Sequence, residues 1–224
     1  MTTFFHVNDL SAGCKLHVLH ADNALLVLDK PAGLLSVPGK GADKQDCLSR
    51  RVQRRYADAL VVHRLDQATS GLLVMARGAS AQRVLSEAFA SRQVHKRYVA
   101  VVDGLLEAPE DAWAEIDLPI LLDWPDRPRR IIDPQGKPSR TRWRVLGHNL
   151  AEQTTRLELE PVTGRSHQLR VHLQAIQHPI LGDALYGTPA SLAKAERLLL
   201  HATRLELTHP VNQQTMVFSS EPPF

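Results

Sequence analysis

Apolar and polar positions alternate from residue 16 to 18 and then run apolar from 24 to 28, the pattern of two short strands meeting at an Asp22-Asn23 turn. Asp29-Lys30-Pro31-Ala32-Gly33 breaks the second strand, and Leu34-Leu35-Ser36-Val37-Pro38-Gly39 follows as a stiff loop. Leu48, Val52 and Tyr56 recur every four residues, which predicts a helix over about 47–57 capped by Asp46, with Arg50, Arg51, Arg54 and Arg55 on its opposite surface. The apolar runs 60–62 and 72–75 are too short for helices. With Thr69-Ser70-Gly71 between them as turn chemistry, they predict strand, loop, strand, with Asp66 at the tip of the loop. Ala81, Val84, Leu85, Ala88 and Phe89 have helical spacing, and 94–102 reads as a strand with Tyr98 and Ala100 on one face and Val99 and Val101 on the other.

Residues 119–138 hold five of the fourteen prolines and read as a long loop or crossing between lobes, centred on Asp123-Trp124-Pro125-Asp126-Arg127-Pro128-Arg129-Arg130. Arg140, Arg142 and Arg144 then alternate with Thr141, Trp143 and Val145. On a strand this puts three guanidiniums on one face, a row that can track a nucleic-acid backbone or guard an exposed sheet edge. A strand over 156–160 ends at Pro161. Thr163-Gly164-Arg165-Ser166-His167-Gln168-Leu169-Arg170-Val171-His172 opens a helix whose Leu169, His172, Leu173 and Ile176 share a face until His178-Pro179 stops it. Strands over 198–207 and near 216–218 close the chain.

Composition narrows the class. The 224 residues, 43% hydrophobic, can bury a full core as one large domain or two small lobes. No apolar run reaches the roughly 18 residues of a membrane span, and the N-terminus lacks the basic-then-apolar order of a signal peptide, so a cytoplasmic protein without membrane contact is expected. Cys14 and Cys47 fit no disulfide framework or CxxC pattern, and the eleven histidines include no HExxH, so no metal site is expected. Net charge is only +3, but arginines dominate and cluster, and their planar forks suit phosphate. An RNA or another phosphate-bearing partner is expected.

Chemistry gathers at Asp66. Arg64 precedes it and the Thr69 and Ser70 hydroxyls follow, positions from which groups can fix a carboxylate's direction, although the same pattern also fits an ordinary Asx turn. Arg165 and Arg170 are both candidates for a cation beside it. Gly33 with Gly39-Lys40 departs from a P-loop: the spacing is one residue too long, and Gly41 stands where Ser or Thr is needed. Leu65 likewise displaces Asp66 from the HRD spacing of a protein kinase.

Three separated motifs carry a resemblance. His63-Arg64-Leu65-Asp66 with Thr69-Ser70-Gly71, then Gly164-Arg165-Ser166-His167-Gln168-Leu169-Arg170-Val171-His172, then Leu199-Leu200-His201-Ala202 together resemble the RluA family of pseudouridine synthases, in the family's order. Lys30-Pro31-Ala32-Gly33, Lys96-Arg97-Tyr98 and His178-Pro179-Ile180-Leu181-Gly182-Asp183 fit too. The resemblance covers nearly the whole chain. It implies an α+β fold with a mixed, mostly antiparallel central sheet, flanking helices and an active-site cleft. Residues 1–224 are then expected to form a single catalytic domain, divisible into two lobes, with no N-terminal S4-type domain.

The resemblance also implies roles: Asp66 as the catalytic aspartate, Arg64 as the residue that fills the gap left by a flipped uridine, Tyr98 as the residue stacked near the base, and Arg170 as the aspartate's partner. Taken alone, Tyr98 reads as a core tyrosine. His63, Arg165, Arg140, Arg142 and Arg144 join Arg64 as expected substrate contacts. The family's reaction detaches uracil from the anomeric carbon of its ribose, turns it and rejoins it through a ring carbon. An ionised Asp can attack that sugar carbon or remove a sugar proton, and the sequence leaves both open. No cofactor is implied. The short form of the family implies dual specificity, for 23S ribosomal RNA and the tRNA anticodon stem-loop; a monomer is expected. The rival readings are a non-catalytic RNA-binding protein, which leaves the Asp66 loop unexplained, and a free-nucleoside glycosidase, which needs none of the basic surface.

Overall fold

Residues 25–28 and 74–76 have no exposed surface at any position, so the strands that hold them are covered on both faces, which is why their sequences run apolar instead of alternating. The structure is a computed structural model that describes residues 16–107 and 113–224. It divides into two units, one taking the chain through His95 and again from Ala202 to Pro223, the other Lys96 to His201 with Phe224. The architecture is α+β, and the strand pairings within each unit described below are antiparallel.

The first unit begins with β1 (His17–Ala21) and β2 (Leu25–Lys30), joined where the Asp22 carboxylate accepts from the Ala24 and Leu25 amides. Helix α1 (Leu48–Gln53) is shorter than the periodicity predicts, and its N-cap is Cys47 rather than Asp46. The Asp46 carboxylate is taken by the Arg51 side chain, and after Gln53 the chain turns so that β3 (Ala59–Val61) can pair with β4 (Ser70–Arg77). Sheet pairing therefore overrides the helical pattern, leaving Tyr56 half-buried beside the guanidiniums of Arg55 and Arg77. Helix α2 (Gly78–Ala90) packs on β3 and β4 through Ala81 and Leu85, while Val84 is exposed, so its buried stripe is narrower than its apolar pattern.

The second unit contains β5 (His95–Asp103), β6 (Ala114–Asp117), β7 (Ile120–Leu122), β8 (Arg130–Ile132), β9 (Arg140–Asn149), β10 (Thr154–Pro161), and helices α3 (Gln168–Ala175) and α4 (Pro189–Ala193). Strands run in the order β5-β10-β9-β6. The expected long loop over 119–138 is instead a hairpin, with Leu122 opposite Arg130 and every proline of the segment outside its strands. Helix α4, which no periodicity announced, is held by a capping box between Thr188 and Ser191. The chain returns through β11 (Leu200–Thr208), which from Ala202 on lies in the first unit and pairs with β12 (Thr215–Ser219).

Strand β9 is not an edge. Arg142 lies opposite Glu160 on one side and Glu115 on the other, and Arg144 lies opposite Glu158. The edge-guard explanation of the arginine row therefore fails. The arginines face carboxylates: Arg140 to Glu115 at 3.6 Å, Arg142 to Glu160 at 3.1 Å and Arg144 to Glu158 at 2.6 Å. Arg97, Arg142 and Arg144 also gather over the Trp113 ring, 4.4, 5.2 and 5.1 Å from its centre. Among the described residues no helix is long and apolar enough to cross a membrane, and no His, Cys, Asp and Glu cluster could hold a metal ion.

Candidate active site

In the first unit, the loop carrying Asp66 is clamped from below by residues 30–36. The ammonium of Lys30, fully buried, donates to the carbonyls of Pro31, Leu34 and Gln67 at 2.9, 2.8 and 3.1 Å. Three carbonyls are the acceptors a buried ammonium needs if it is to stay charged away from water. Gln67 is held twice more, by the Gly33 amide on its carbonyl and by its own side-chain amide donating to the Gly33 carbonyl. On the other side of Asp66, the buried Ser36 hydroxyl donates to the Leu65 carbonyl at 2.6 Å and accepts from the Leu65 amide at 3.1 Å. Both neighbours of the carboxylate are thus fixed to the Lys30-Pro31-Ala32-Gly33 segment and the loop after it.

Asp66 itself is half-buried, in a turn closed by the Thr69 amide donating to its carbonyl at 3.2 Å. Thr69 and Ser70 are buried, and Gly71 follows with φ of 107°. Any side chain at Gly71 would collide with the backbone of Ala202, so the glycine of one motif packs directly against the alanine that ends another. Arg64 is exposed at the loop surface. His63 is placed otherwise than expected for a substrate contact: its Nε2 accepts from the Val74 amide at 2.9 Å, and its ring stacks on Phe89 at 4.2 Å. It fixes the start of the loop to β4 and α2.

In the second unit, Tyr98 is half-buried on β5, which departs from a plain core tyrosine. Leu159 lies opposite both Tyr98 and Trp143, whereas Glu158 lies opposite both Val99 and Arg144. Paired residues in a sheet share a face, so Tyr98 is on the side away from Arg142 and Arg144. Lys96, two residues before Tyr98, shares its face; a Cβ added at Gly164 would come within 3.9 Å of the Lys96 ammonium, and burial pushes that ammonium below its usual range. The sequence offered Lys96 only as part of a flanking motif, because nothing in a single strand shows which turn will lie over it.

The turn ahead of α3 is organised by Gln168, another residue that sequence reasoning missed. Its buried side chain accepts from the Thr163 hydroxyl and the Arg165 amide and donates to the Arg140 carbonyl and the Thr141 hydroxyl, at 2.7–3.0 Å. Its polar character only becomes meaningful once the fold brings β9 beneath it. His167 adopts a left-handed backbone, φ 58°, a conformation that costs a non-glycine residue about 1–3 kcal/mol. Its Nδ1 lies within hydrogen-bond distance, 2.7 Å, of the Tyr186 hydroxyl, which also accepts from the Arg130 amide at 2.8 Å. Arg165 is half-buried at this turn, its Nε enclosed without an acceptor.

Arg170, by contrast, is buried and gripped by Asp183 through Nε and Nη2. The Asp183 Oδ1 also accepts from the Leu185 and Tyr186 amides, and Tyr186 stacks beneath the guanidinium, 5.0 Å from ring centre to Cζ. Gly182 has φ of 70°, and a side chain there would strike the Arg197 carbonyl, so the turn that delivers Asp183 requires glycine. The sequence placed Arg170 beside a carboxylate but did not identify Asp183 as one that holds it.

Comparison with known proteins agrees with these motifs. The family model for RNA pseudouridylate synthase matches residues 24–175. The dual-specificity RNA pseudouridine synthase RluA of Escherichia coli is 46% identical over 93% of this chain and 94% of its own length, and that of Haemophilus ducreyi is 43% identical over the same shares. Among solved structures, human RNA pseudouridylate synthase domain containing 1 superposes with a TM-score of 0.78 at 28% identity, covering 96% of this chain and 87% of that one. Human RNA pseudouridylate synthase domain containing 4 gives 0.71 at 27% identity, covering 92% and 88%. With its motifs held as the geometry shows, this chain belongs to the RNA pseudouridylate synthase family, isomerases that turn uridine into pseudouridine within RNA.

Proposed function

We propose that this protein is a dual-specificity enzyme acting in the cytoplasm as a monomer on uridines of both 23S ribosomal RNA and the tRNA anticodon stem-loop, with Asp66 as its catalytic carboxylate and no cofactor. The observation that carries the reading is the double clamp on the Asp66 loop: Ser36 fixes Leu65 and Lys30 fixes Gln67, so the residue between them is held while its carboxylate is only half-buried. A scaffold this costly in buried polar groups suits a group that must meet an electron-poor sugar carbon at a set position. Dual specificity is supported by the name and near full-length match of the relatives.

Around Asp66, exposed Arg64 offers a planar cation to take the place of the base that leaves its stack. Tyr98 packs near the base, Arg170 supports the catalytic carboxylate, and Arg165 contacts the RNA. His63 acts through the loop it positions. Arg140, Arg142 and Arg144 stand as weak backbone contacts, because phosphate must compete with the carboxylates they already face.

The test is tritium release from RNA carrying 5-tritiated uridine. Wild-type protein releases tritium from both rRNA and tRNA transcripts, while Asp66→Asn and Asp66→Ala bind RNA and release none. More than about a tenth of wild-type turnover in a folded Asp66 variant overturns the assignment, since a lost reacting group costs several powers of ten. Pseudouridine mapping in RNA from a strain lacking the gene shows whether both substrates are used.

A further inference from the structure

The β7–β8 hairpin joins the site described above at its base, where Arg130 meets Tyr186, and its tip carries an unusual surface. Trp124, at its tip, is 65% exposed, whereas Trp143 of the same unit is 7% exposed. An indole left in water forfeits the burial that makes tryptophan stabilising. The Arg127 guanidinium lies over it, 4.4 Å from the ring centre. Three arginines, Arg127, Arg129 and Arg130, outnumber Asp123 and Asp126 across the tip, an excess of one positive charge. The carboxylate contact of Arg129 with Asp126, at 3.2 Å, is an exposed pair of the kind that holds little.

The loop is nevertheless tightly built. The Asp123 amide donates to the Arg129 carbonyl at 3.1 Å, the Arg129 amide to the Asp126 carbonyl at 2.9 Å, and the Asp126 amide to the Asp123 carboxylate at 3.4 Å. At its base the Arg130 amide is tied to Tyr186, and through the Tyr186 hydroxyl to His167, in the motif that opens α3. An exposed aromatic ring, layered with a guanidinium and presented on a braced, net-positive tip, has the components that hold unpaired nucleobases: a π-face for the base and cations for its phosphates.

We propose that Trp124 is a stacking platform for an unpaired base of the RNA substrate, a base other than the one isomerised, with Arg127 and Arg129 taking the flanking phosphates. This rests on the RNA-modifying function above and adds a second point of RNA recognition, on the hairpin.

The test uses full-length protein and the same rRNA and tRNA transcripts. RNA quenches the tryptophan fluorescence of the wild type, and Trp124→Phe removes that quench. Trp124→Ala weakens RNA binding roughly ten- to a hundredfold, the span of one lost base–aromatic stack. Its salt dependence is unchanged, and its turnover at saturating RNA stays at the wild-type level. Arg127→Gln and Arg129→Gln instead lower the salt slope by roughly 0.7 each, the value for a phosphate contact on a single strand. The position is exposed, so Trp124→Ala melts as the wild type does. Wild-type affinity in Trp124→Ala, or a quench that persists in Trp124→Phe, overturns the proposal. So does a Trp124→Ala protein that loses only binding to a ribosomal protein while holding naked RNA normally. Tritium release by the wild type, run alongside, separates the two readings: release with an indifferent Trp124 sinks the hairpin proposal alone, and quench without release sinks the catalytic one.

Discussion

Arg170 donates to both carboxylate oxygens of Asp183, Nε to Oδ2 at 2.8 Å and Nη2 to Oδ1 at 2.6 Å, with both side chains buried. The residue proposed as the partner of Asp66 is thus also a structural one, and the two roles need separating. Arg170→Met leaves Asp183 charged and buried, which typically costs about 3–5 kcal/mol of stability. Arg170→Met combined with Asp183→Asn removes the stranded charge and keeps an acceptor for the Leu185 and Tyr186 amides, so denaturant melts should show most of the stability restored. Tritium release should stay lost in the double variant. If turnover returns with stability, Arg170 serves the fold alone.

His172 makes the fold sensitive to acid. Its Nε2 donates to the Leu118 carbonyl at 3.0 Å, which places the proton there and leaves Nδ1 to accept from the Thr141 hydroxyl at 2.9 Å. Burial pushes its pKa below the usual 6.5, against the pull of that carbonyl and of Asp117. The folded state thus prefers neutral histidine, and the unfolded chain takes up the proton first as pH falls. The stability this contributes is complete above about pH 6.5 and is lost as pH drops through the lowered folded value. Unfolding free energy of the wild type should therefore decline below pH 6.5 more steeply than that of His172→Gln, by at most about 1.4 kcal/mol per pH unit for one proton. Parallel pH profiles of the two proteins would contradict this.

Much of this was legible in the sequence because the signals are local. The turn at Asp22, the strands around Asp66 and helix α2 each follow from periodicity and turn residues within one segment. What was not legible depends on pairing between distant segments. Asp46 looks like a cap until Arg51 claims it, and the proline-rich stretch looks like a loop until Leu122 meets Arg130. The arginine row could not be told from an edge guard before Glu115, Glu158 and Glu160 were seen across from it. At the site, residue types announced Asp66 and its motif. The Lys30 clamp, the Gln168 brace and the Asp183 grip were silent, since a buried lysine, glutamine or aspartate is recognisable only once its partners are in place.

Lys30 supplies the next expectation. Its ammonium holds the Gln67 carbonyl from below, one residue past Asp66. Lys30→Met keeps the stem's bulk but leaves the carbonyls of Pro31 and Leu34 without this donor, each at a cost of roughly 1–3 kcal/mol if it stays buried and unsatisfied, and leaves the Gln67 carbonyl to the Gly33 amide alone. The loop should relax to find water, moving the carboxylate. A displacement of about 1 Å can cost a hundredfold in rate, so single-turnover tritium release at saturating protein should fall by about that factor while RNA affinity changes little. A variant that is destabilised yet turns over normally would show that Lys30 supports the unit without positioning Asp66.

Arg140, Arg142 and Arg144 allow a prediction in which magnitude decides. Three phosphate contacts on single-stranded RNA would contribute about 2 to the slope of log affinity against log salt, at roughly 0.7 each. In the structure, however, Arg142 and Arg144 face Glu160 and Glu158 on the side of the sheet away from Tyr98, and only Arg140, 3.6 Å from Glu115, is loosely held. A guanidinium already paired with a carboxylate releases few counterions when it meets phosphate, because its charge is largely neutralised beforehand. Replacing all three by Gln should therefore change the slope by less than about 1, most of it recoverable in Arg140→Gln alone. The triple variant should also lose stability, since Glu158 and Glu160 would be left half-buried without their β9 partners. A slope change near 2 in binding titrations from low to moderate salt would show that RNA displaces Glu158 and Glu160 and that this face of the sheet is a true RNA surface.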